Sequence, residues 1–314
     1  MSKIAFLFPG QGSQKIGMGK DLFDQEAVSK AVFEEADKTL DFDLSSMIFE
    51  GDAGELTLTY NAQPALLTTS IAILKKFEES GIKADYAAGH SLGEYTALVA
   101  AGALSFKDAV FAVRKRGELM NEAVPAGEGA MAAILGLDKA ALLEVTKEVT
   151  ESGHLVELAN LNCPGQIVIS GTAKGVELAS EKAKENGAKR AIALEVSGPF
   201  HSALMKPAAE KFTDVLSKLD IVDAKTPVIS NVTADIVTSR DEIETKLIEQ
   251  LYSPVRFEES VERLIDLGVT TFIEIGPGKV LSGLVKKVNR RLTTISVSDQ
   301  ETIEAAIQTL KGDS

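Results

Sequence analysis

The chain has 314 residues, 45% of them hydrophobic and 25% charged, which is the composition of a globular protein with one or two domains. Its formal net charge of −13 argues against nucleic acid or an anionic membrane as a general partner, and no apolar run approaches the roughly 20 residues of a membrane-spanning helix. A single cysteine, Cys163, excludes an intrachain disulfide and favours a cytoplasmic location, and with only three histidines it argues against a transition-metal site.

Strands and helices alternate in the N-terminal part of the chain. The short apolar run "IAFLF" predicts a buried first strand rather than a signal peptide. The stretch "PALLTTSIAILKKFEESG" has helical spacing and ends at Gly81, and "DYAAG" predicts the next strand. A helix follows from about Leu92 to Ala101, and another runs from the capping residue Ser105 to about Val124.

The segment 127–197 has a different order of elements. The stretches "AMAAILG", "LVELANLN", "QIVIS" and "RAIALEV" predict strands, and "DKAALLEVTKEVT" and "KGVELASEKAKENG" predict helices. The resulting β-α-β-β-α-β order is that of a ferredoxin-like unit. We therefore expect a small subdomain at 127–197, inserted into a large domain formed by 1–126 and 198–314.

Alternation resumes after the inserted segment. Helical patterns occur in "SALMKPAAEKFTDVLSKL", "RDEIETKLIEQLY", "FEESVERLIDLG", "VLSGLVKKV" and the C-terminal stretch, and strand patterns in "TPVISNV", "TTFIEIG" and "TTISVS". Strands separated by helices predict a mostly parallel sheet covered on both faces, and hence an α/β fold.

The stretch "AAGHSLGEY", residues 87–95, places a serine between two glycines where a predicted strand turns into a helix. In the pattern G-x-S-x-G, Gly89 and Gly93 let the backbone close around Ser91, which exposes its Oγ. The amide of Leu92 then faces the group that the hydroxyl attacks. The pattern is typical of a serine nucleophile, although a serine that only caps the helix also fits it.

A serine nucleophile needs a base, and three histidines are available. His90 adjoins Ser91, and successive side chains of a strand point to opposite faces, so it is poorly placed. His154 fits a solvated loop. His201 lies in the loop "SGPFHSALM", in the kind of position where catalytic groups are common, so it is the favoured base. A packed histidine at a helix start is the alternative.

A cation falls on the buried face of the helix that begins at Ser105. Arg116 lies on its apolar stripe, and a buried guanidinium without a partner carries a penalty of several kcal/mol. The partner is either an internal Asp or Glu, or a carboxylate that arrives with the substrate and meets the planar fork of arginine. The stripe consists of Ala109, Ala112, Val113 and Met120.

Ser91 in "GHSLGEY", Arg116 in "KRGELM" and His201 in "GPFHSALMKPA" together resemble the malonyl-CoA:acyl carrier protein transacylase family. The stretches "FPGQGSQ", "QPALL", "NLNCPGQIVISG", "SNVTA" and "EIGPGKVLSGL" resemble the same family, in family order over nearly the whole chain. The resemblance implies an α/β-hydrolase-like core with a ferredoxin-like insert. It also implies transfer of a malonyl group from malonyl-CoA to the phosphopantetheine thiol of acyl carrier protein, through a malonyl-serine and without a cofactor.

The resemblance assigns roles to individual residues. Ser91 would be the nucleophile and His201 its base, and the backbone carbonyl of Gln250 in "IEQLYSPV" would orient the histidine. The amides of Gln11 and Leu92 would form the oxyanion hole. The site would therefore use a Ser-His dyad rather than a Ser-His-Asp triad.

The same resemblance gives the residues that would contact substrate and carrier. Arg116 would hold the malonyl carboxylate, with Gln63 and His90 also in the substrate site, and the bulky Phe200 would leave little space for a branched acyl group. Acyl carrier proteins are acidic, so a local basic patch on the helix after "GPGKVLSGL" is a candidate docking site; a solvated helix face fits it equally. The patch consists of Lys286, Lys287, Arg290 and Arg291.

A serine esterase or thioesterase is the main alternative, because it would use the same Ser-His machinery and differ only in letting water attack the acyl-enzyme. Esterases of this kind run Ser, Asp or Glu, then His along the chain. Glu157 and Glu195 precede His201, so chain order does not exclude one. The arginine on the buried face and the ordered motifs favour transfer. A catalytically inactive acyl-binding module is a third alternative.

Overall fold

The first strand, β1 (Lys3–Phe8), sends alternate side chains into two hydrophobic cores. Phe6 and Phe8 enter one core and Ala5 and Leu7 the other, because successive side chains of a strand point to opposite faces. Both faces of its sheet are therefore covered. The computed structural model describes residues 3–196 and 198–312, so the predicted boundary at residue 197 lies outside the described residues.

The larger sheet has six strands and is mostly parallel. Neighbouring strands pair in parallel from β10 to β7, and β8 pairs with β7 in the antiparallel sense. This agrees with the alternation of strands and helices in the sequence. The order across the sheet is β10 (Thr293–Val297), β9 (Val269–Ile275), β1, β2 (Tyr86–Gly89), β7 (Val228–Ile229) and β8 (Ile236–Val237).

The smaller sheet has four antiparallel strands with two helices against it, and the elements follow the predicted β-α-β-β-α-β order. It has a core of its own, in which Ala132, Ile134 and Ile169 pack with residues of both helices. The order across the sheet is β4 (Val156–Cys163), β5 (Gln166–Thr172), β3 (Gly129–Leu135) and β6 (Arg190–Ala193), and the helices are α8 (Lys139–Glu151) and α9 (Ala173–Glu185).

Four helices between β1 and Thr59 were not predicted from the sequence. Three of them have only five to seven residues, too few for an apolar period to be visible, and two of these begin at aspartate caps, Asp43 and Asp52. The four helices are α1 (Lys20–Gln25), α2 (Ala27–Leu40), α3 (Leu44–Glu50) and α4 (Ala53–Thr57).

The remaining helices cover the larger sheet. The predicted helix after His201 is in fact a 3-10 turn, Ala203–Met205, followed by α10, which has a proline in its first turn. Among the described residues, no helix combines the length and the apolar character needed to cross a membrane. The helices are α5 (Thr59–Glu78), α6 (Leu92–Ala100), α7 (Phe106–Glu122), α10 (Lys206–Leu216), α11 (Arg240–Gln250), α12 (Phe257–Asp266), α13 (Val280–Val288) and α14 (Gln300–Gly312).

Helix α5 contains a proline, and the carbonyl that this proline leaves unpaired joins α5 to α7. Pro64 has no N–H to donate to the carbonyl of Tyr60 one turn earlier. That carbonyl accepts a hydrogen bond from Nη1 of Arg114 on α7 instead, at 3.1 Å. The contact holds together the two helices that carry Gln63 and Arg116.

Candidate active site

Ser91 lies at the corner between β2 and α6, with φ 52° and ψ −109°. This is a strained conformation for a residue with a side chain, and such strain persists where the surrounding structure enforces it. A Cβ on Gly89 would lie 1.9 Å from the carbonyl carbon of Gly93, and a Cβ on Gly93 would lie 2.0 Å from the carbonyl oxygen of Phe8. The close backbone approach therefore requires both glycines of the G-x-S-x-G pattern.

Asn231, in the turn after β7, binds the backbone of this corner through its side chain. Its Oδ1 accepts a hydrogen bond from the amide of Ser91 at 2.7 Å, and its Nδ2 donates to the carbonyl of Gly89 at 2.7 Å. The structure places it against the backbone of the serine.

His201 lies within hydrogen-bonding distance of Ser91. Its Nε2 is 2.8 Å from the Oγ of Ser91, and its Nδ1 is 2.8 Å from the backbone carbonyl of Gln250. A carbonyl can only accept, so Nδ1 carries the proton and Nε2 presents a lone pair to the serine hydroxyl. This is the geometry of a general base beside a nucleophile.

The imidazole of His201 is also held in its neutral form. Burial lowers its pKa to about 3, and the positive charge of Arg116 contributes to the lowering. Since protonation would add a second buried positive charge beside Arg116, the ring stays neutral and able to accept a proton at neutral pH.

Arg116 is almost completely buried, with 1% of its surface exposed. Its Nη1 donates to Oε1 of Gln63 at 2.6 Å, and its Nη2 donates to Oε1 of Gln250 at 2.9 Å and to Oγ of Ser91 at 3.1 Å. The guanidinium also lies 5.4 Å from the ring centre of Tyr95. Its hydrogen-bond acceptors within the described part of the chain are all uncharged.

The arginine ion pairs found within residues 3–196 and 198–312 involve Arg114, Arg256 and Arg263, and not Arg116. Of the two partners that the sequence allowed for Arg116, a direct internal Asp or Glu is thus absent from the described residues. The buried cation beside Ser91 remains available to an anionic ligand.

Glu94 is a buried acid behind this site, and the sequence gave it no role. Its Oε2 accepts hydrogen bonds from Nε2 of Gln250 at 2.7 Å and from the amide of Asn231 at 3.1 Å. Burial raises its pKa to about 7, against the opposing effects of these hydrogen bonds and of the charge of Arg116. The sequence feature that could have identified Glu94 was a lone carboxylate in a helical turn otherwise made of apolar and small residues.

A pocket of about 260 Å³ contains the reactive groups. It lies where the C-terminal ends of β1 and β2 meet the smaller sheet, which contributes Met131 and Asn160. Gln250 contacts the site from behind, through the bonds to His201 and Arg116. The other predicted site residues all line the pocket: Gln11, Gln63, His90, Ser91, Leu92, Arg116, Phe200 and His201.

Among the described residues, no hydrogen bond joins the other histidines, Glu157 or Glu195 to Ser91 or His201, although His90 and Glu195 line the pocket. His90 pairs through Nε2 with Oδ1 of Asn162 at 2.8 Å, and His154 lies in the loop between α8 and β4 and does not line the pocket. Glu157 accepts a hydrogen bond from the amide of Ala203 at 2.7 Å. Because a backbone carbonyl occupies Nδ1 of His201, no acid completes a triad among the described residues.

Comparison with known proteins decides the family. The family model described as acyl transferase domain matches residues 5–308. The chain belongs to this acyl transferase family. It is 78% identical, over 99% of its length and 98% of the relative, to the malonyl CoA-acyl carrier protein transacylase of Bacillus subtilis (strain 168).

Solved structures of acyl transferases superpose closely on this one. An acyl carrier protein S-malonyltransferase from Vibrio cholerae has a TM-score of 0.94 at 46% identity, covering 97% of this chain and 100% of that one. A malonyl-transacylase in complex with its type II PKS acyl-carrier protein has a TM-score of 0.95 at 44% identity, covering 98% and 100%.

The basic patch of this acyl transferase differs from the prediction. Helix α13 ends at Val288, because Asn289 has extended backbone angles, so Arg290 and Arg291 lie beyond the helix rather than on it. The two lysines also donate hydrogen bonds within the chain: Lys286 to the carbonyl of Leu292 at 2.5 Å, and Lys287 to Oε1 of Gln166 at 2.9 Å. All four basic residues are exposed.

No group of three or more His, Cys, Asp or Glu side chains among the described residues is arranged to hold a metal ion. The chemistry that this acyl transferase site offers is that of a hydroxyl, a neutral imidazole and a guanidinium within one pocket.

The lowered pKa of His201 gives a testable expectation for the acyl transferase. Its ring resonances, assigned from their absence in the His201→Asn variant, should keep the shifts of the neutral form from pH 8 down to pH 5, because burial and Arg116 oppose protonation. NMR of histidine-labelled protein measures this. A titration centred near the ordinary value of about 6.5 would contradict the account.

Proposed function

We propose that this chain transfers a malonyl group from malonyl-CoA to the phosphopantetheine thiol of acyl carrier protein through a malonyl-Ser91 intermediate. The observation that carries the proposal is the position of the Ser91 hydroxyl, 2.8 Å from a neutral imidazole nitrogen and 3.1 Å from a buried guanidinium. The names of the relatives, malonyl CoA-acyl carrier protein transacylase and acyl carrier protein S-malonyltransferase, support the same substrates.

In the first step Ser91 attacks the thioester carbonyl of malonyl-CoA while Nε2 of His201 takes the hydroxyl proton. The oxyanion that forms is held by the backbone amides of Leu92, at the start of α6, and of Gln11, both of which line the pocket. Coenzyme A leaves as a thiol with the proton from His201. Loss of one such oxyanion donor typically costs about 2.7–4 kcal/mol in the barrier.

The second step is the reverse of the first with another thiol. The carrier's phosphopantetheine thiol gives its proton to Nε2 of His201 and attacks the malonyl ester, and Ser91 leaves with that proton. One thioester is consumed and one is formed. The sequence of steps is a ping-pong transfer in which the residues of this chain supply nucleophile, base and oxyanion donors.

Arg116 selects the acyl group in this proposal. A guanidinium binds a carboxylate through charge-assisted hydrogen bonds, and Gln63 fixes its plane through the bond to Nη1. Acylation turns the Oγ of Ser91 into an ester oxygen, which frees the hydrogen of Nη2 for the malonyl carboxylate. His90 and the buried Phe200 line the same pocket, and the bulk of Phe200 limits branching of the acyl chain.

For the fold we propose an α/β-hydrolase-like core at 1–126 and 198–314, carrying a ferredoxin-like subdomain at 127–197. The strand order β4-β5-β3-β6, the antiparallel pairing and the separate core of the smaller sheet support the second assignment. The mostly parallel larger sheet, with Ser91 at the end of β2, supports the first. A cytoplasmic location stays the prediction made from the single cysteine.

Docking of the acidic carrier at Lys286, Lys287, Arg290 and Arg291 is part of the proposal. The exposure of these four residues supports it, since exposed cations on an otherwise acidic protein attract an acidic partner.

The esterase alternative differs at the second step, where water would replace the carrier thiol. The buried guanidinium disfavours it as the main activity, because an esterase has no need of a cation reserved for a substrate carboxylate. Neither Glu157 nor Glu195 contacts Nδ1 of His201, so the acid that such a triad would place there is not present among the described residues.

The acyl-enzyme itself tests the proposed function. Incubation with malonyl-CoA alone should add one malonyl group to the protein, and peptide mapping by mass spectrometry should find it on Ser91; the Ser91→Ala variant is the control. The adduct should persist until holo-carrier protein is added. Rapid loss of the adduct to water would favour the esterase, and absence of any adduct would favour an inactive binding module.

The role of Arg116 is tested by the choice between two acyl groups. Arg116→Ala should lower the rate of malonyl loading from malonyl-CoA about 10- to 150-fold more than acetyl loading from acetyl-CoA, since a charge-assisted hydrogen bond contributes about 1.5–3 kcal/mol. Lys115→Ala, on the same helix but with its ammonium group paired with Glu118 at the surface, is the matched control and should leave the ratio unchanged. Equal losses for both acyl groups would mean that Arg116 is structural.

A further inference from the structure

Glu94 is a buried carboxylate for which the transfer mechanism has no direct use. It lies on the first turn of α6, three residues after Ser91, with 1% of its surface exposed. A buried ionisable group carries a desolvation penalty, so its retention in this helix needs a physical reason. Its hydrogen-bond partners are the side chain of Gln250 and the backbone of Asn231.

Gln250 connects three parts of the site. Its backbone carbonyl accepts from Nδ1 of His201 at 2.8 Å, and its side-chain Oε1 accepts from Nη2 of Arg116 at 2.9 Å. Its side-chain Nε2 donates to Glu94 at 2.7 Å and to the carbonyl of Ser91 at 3.0 Å. One residue therefore contacts the base, the cation and the nucleophile.

A primary amide can turn by 180°, which exchanges its donor end and its acceptor end. The turned amide of Gln250 would place its NH₂ group against a guanidinium, which has only donors. Oε2 of Glu94 opposes this turn, because it accepts from the NH₂ group and from the amide of Asn231 and would face the amide oxygen after the turn. The carbonyl of Ser91, which also accepts from the NH₂ group, opposes the turn as well. The oxygen of the amide is thereby aimed at Arg116.

We propose that Glu94 is a positioning residue for acyl selection: by fixing the amide of Gln250, it holds the Arg116 guanidinium in the orientation that faces the acyl group on Ser91. The proposal rests on the proposed function, in which Arg116 binds the malonyl carboxylate. Glu94 itself touches neither substrate nor reacting atoms. Its effect reaches the guanidinium of Arg116 through two hydrogen bonds in series.

A general structural role would behave differently. Glu94 also accepts from the amide of Asn231, whose side chain holds the backbone of Ser91, so a loss of local order would slow loading of every acyl group. A positioning role toward Arg116 alters the choice between malonyl and acetyl groups. The ratio of the two loading rates therefore separates the two roles.

The test measures single-turnover rates of acyl-enzyme formation from malonyl-CoA and from acetyl-CoA. Glu94→Met keeps the size of the side chain and removes the acceptor, and it should lower the malonyl-to-acetyl ratio at least about 10-fold. Glu94→Gln keeps an acceptor oxygen and should retain the ratio within about 3-fold. If Glu94→Met does not fold, Glu94→Asp, which withdraws the carboxylate by one methylene, should lower the ratio in the same direction.

Glu274 supplies a matched control. It is a fully buried glutamate at the end of β9 whose carboxylate accepts from the amides of Leu281 and Ser282, and it does not line the pocket of Ser91. Glu274→Met should leave the malonyl-to-acetyl ratio unchanged, whatever its effect on stability.

Two results would overturn the inference: equal slowing of both acyl groups in Glu94→Met, or an unchanged ratio in that variant while Arg116→Ala lowers it. The second result would leave the proposed function intact. Absence of any malonyl preference in the unmodified protein would instead contradict the proposed function itself.

Discussion

The site depends on one buried guanidinium whose hydrogen-bond acceptors are all uncharged. Nη1 and Nη2 of Arg116 donate to two amide oxygens and a hydroxyl rather than to a carboxylate, and its Nε has no hydrogen-bond partner among the described residues. A buried positive charge without a negative partner is costly, and Glu94 compensates it only indirectly, through Gln250. The fold thus leaves a buried positive charge beside Ser91 without a directly bonded anion, and an anionic acyl group would supply one.

The same charge also acts on the base. Burial, and after it the charge of Arg116, lowers the pKa of His201 and keeps the imidazole neutral, so the ring can take the proton of Ser91 without prior deprotonation. Binding of the malonyl carboxylate would offset the charge of Arg116 and make the imidazolium that forms during attack less costly. In the proposed mechanism, substrate selection and base strength are therefore linked through Arg116, and Gln250 is hydrogen-bonded to both Arg116 and His201.

Features that depend on residues close together in the sequence could be predicted. Features that depend on contacts between residues far apart in the sequence could not. The G-x-S-x-G corner and the position of Arg116 on an apolar helical stripe follow from spacing alone. The resemblance to a known family added Gln250 and Gln11. Glu94 was missed because its role depends on a hydrogen bond with Gln250, which lies 156 positions away in the sequence. The short helices before α5 were missed because five to seven residues show no period. The helical pattern "VLSGLVKKV" has the bounds of α13, but Arg290 and Arg291 were wrongly placed on that helix, because nothing after Val288 breaks a helix outright.

In the proposed function the guanidinium of Arg116 binds the carboxylate of the acyl group carried by Ser91. A crystal structure of the protein trapped as its malonyl-Ser91 form measures this directly. We expect the malonyl carboxylate within about 3 Å of the Nη atoms of Arg116, with Gln63 and Gln250 still bound to the guanidinium. A carboxylate that points to solvent or to another cation, while Arg116 keeps only its internal bonds, would contradict it.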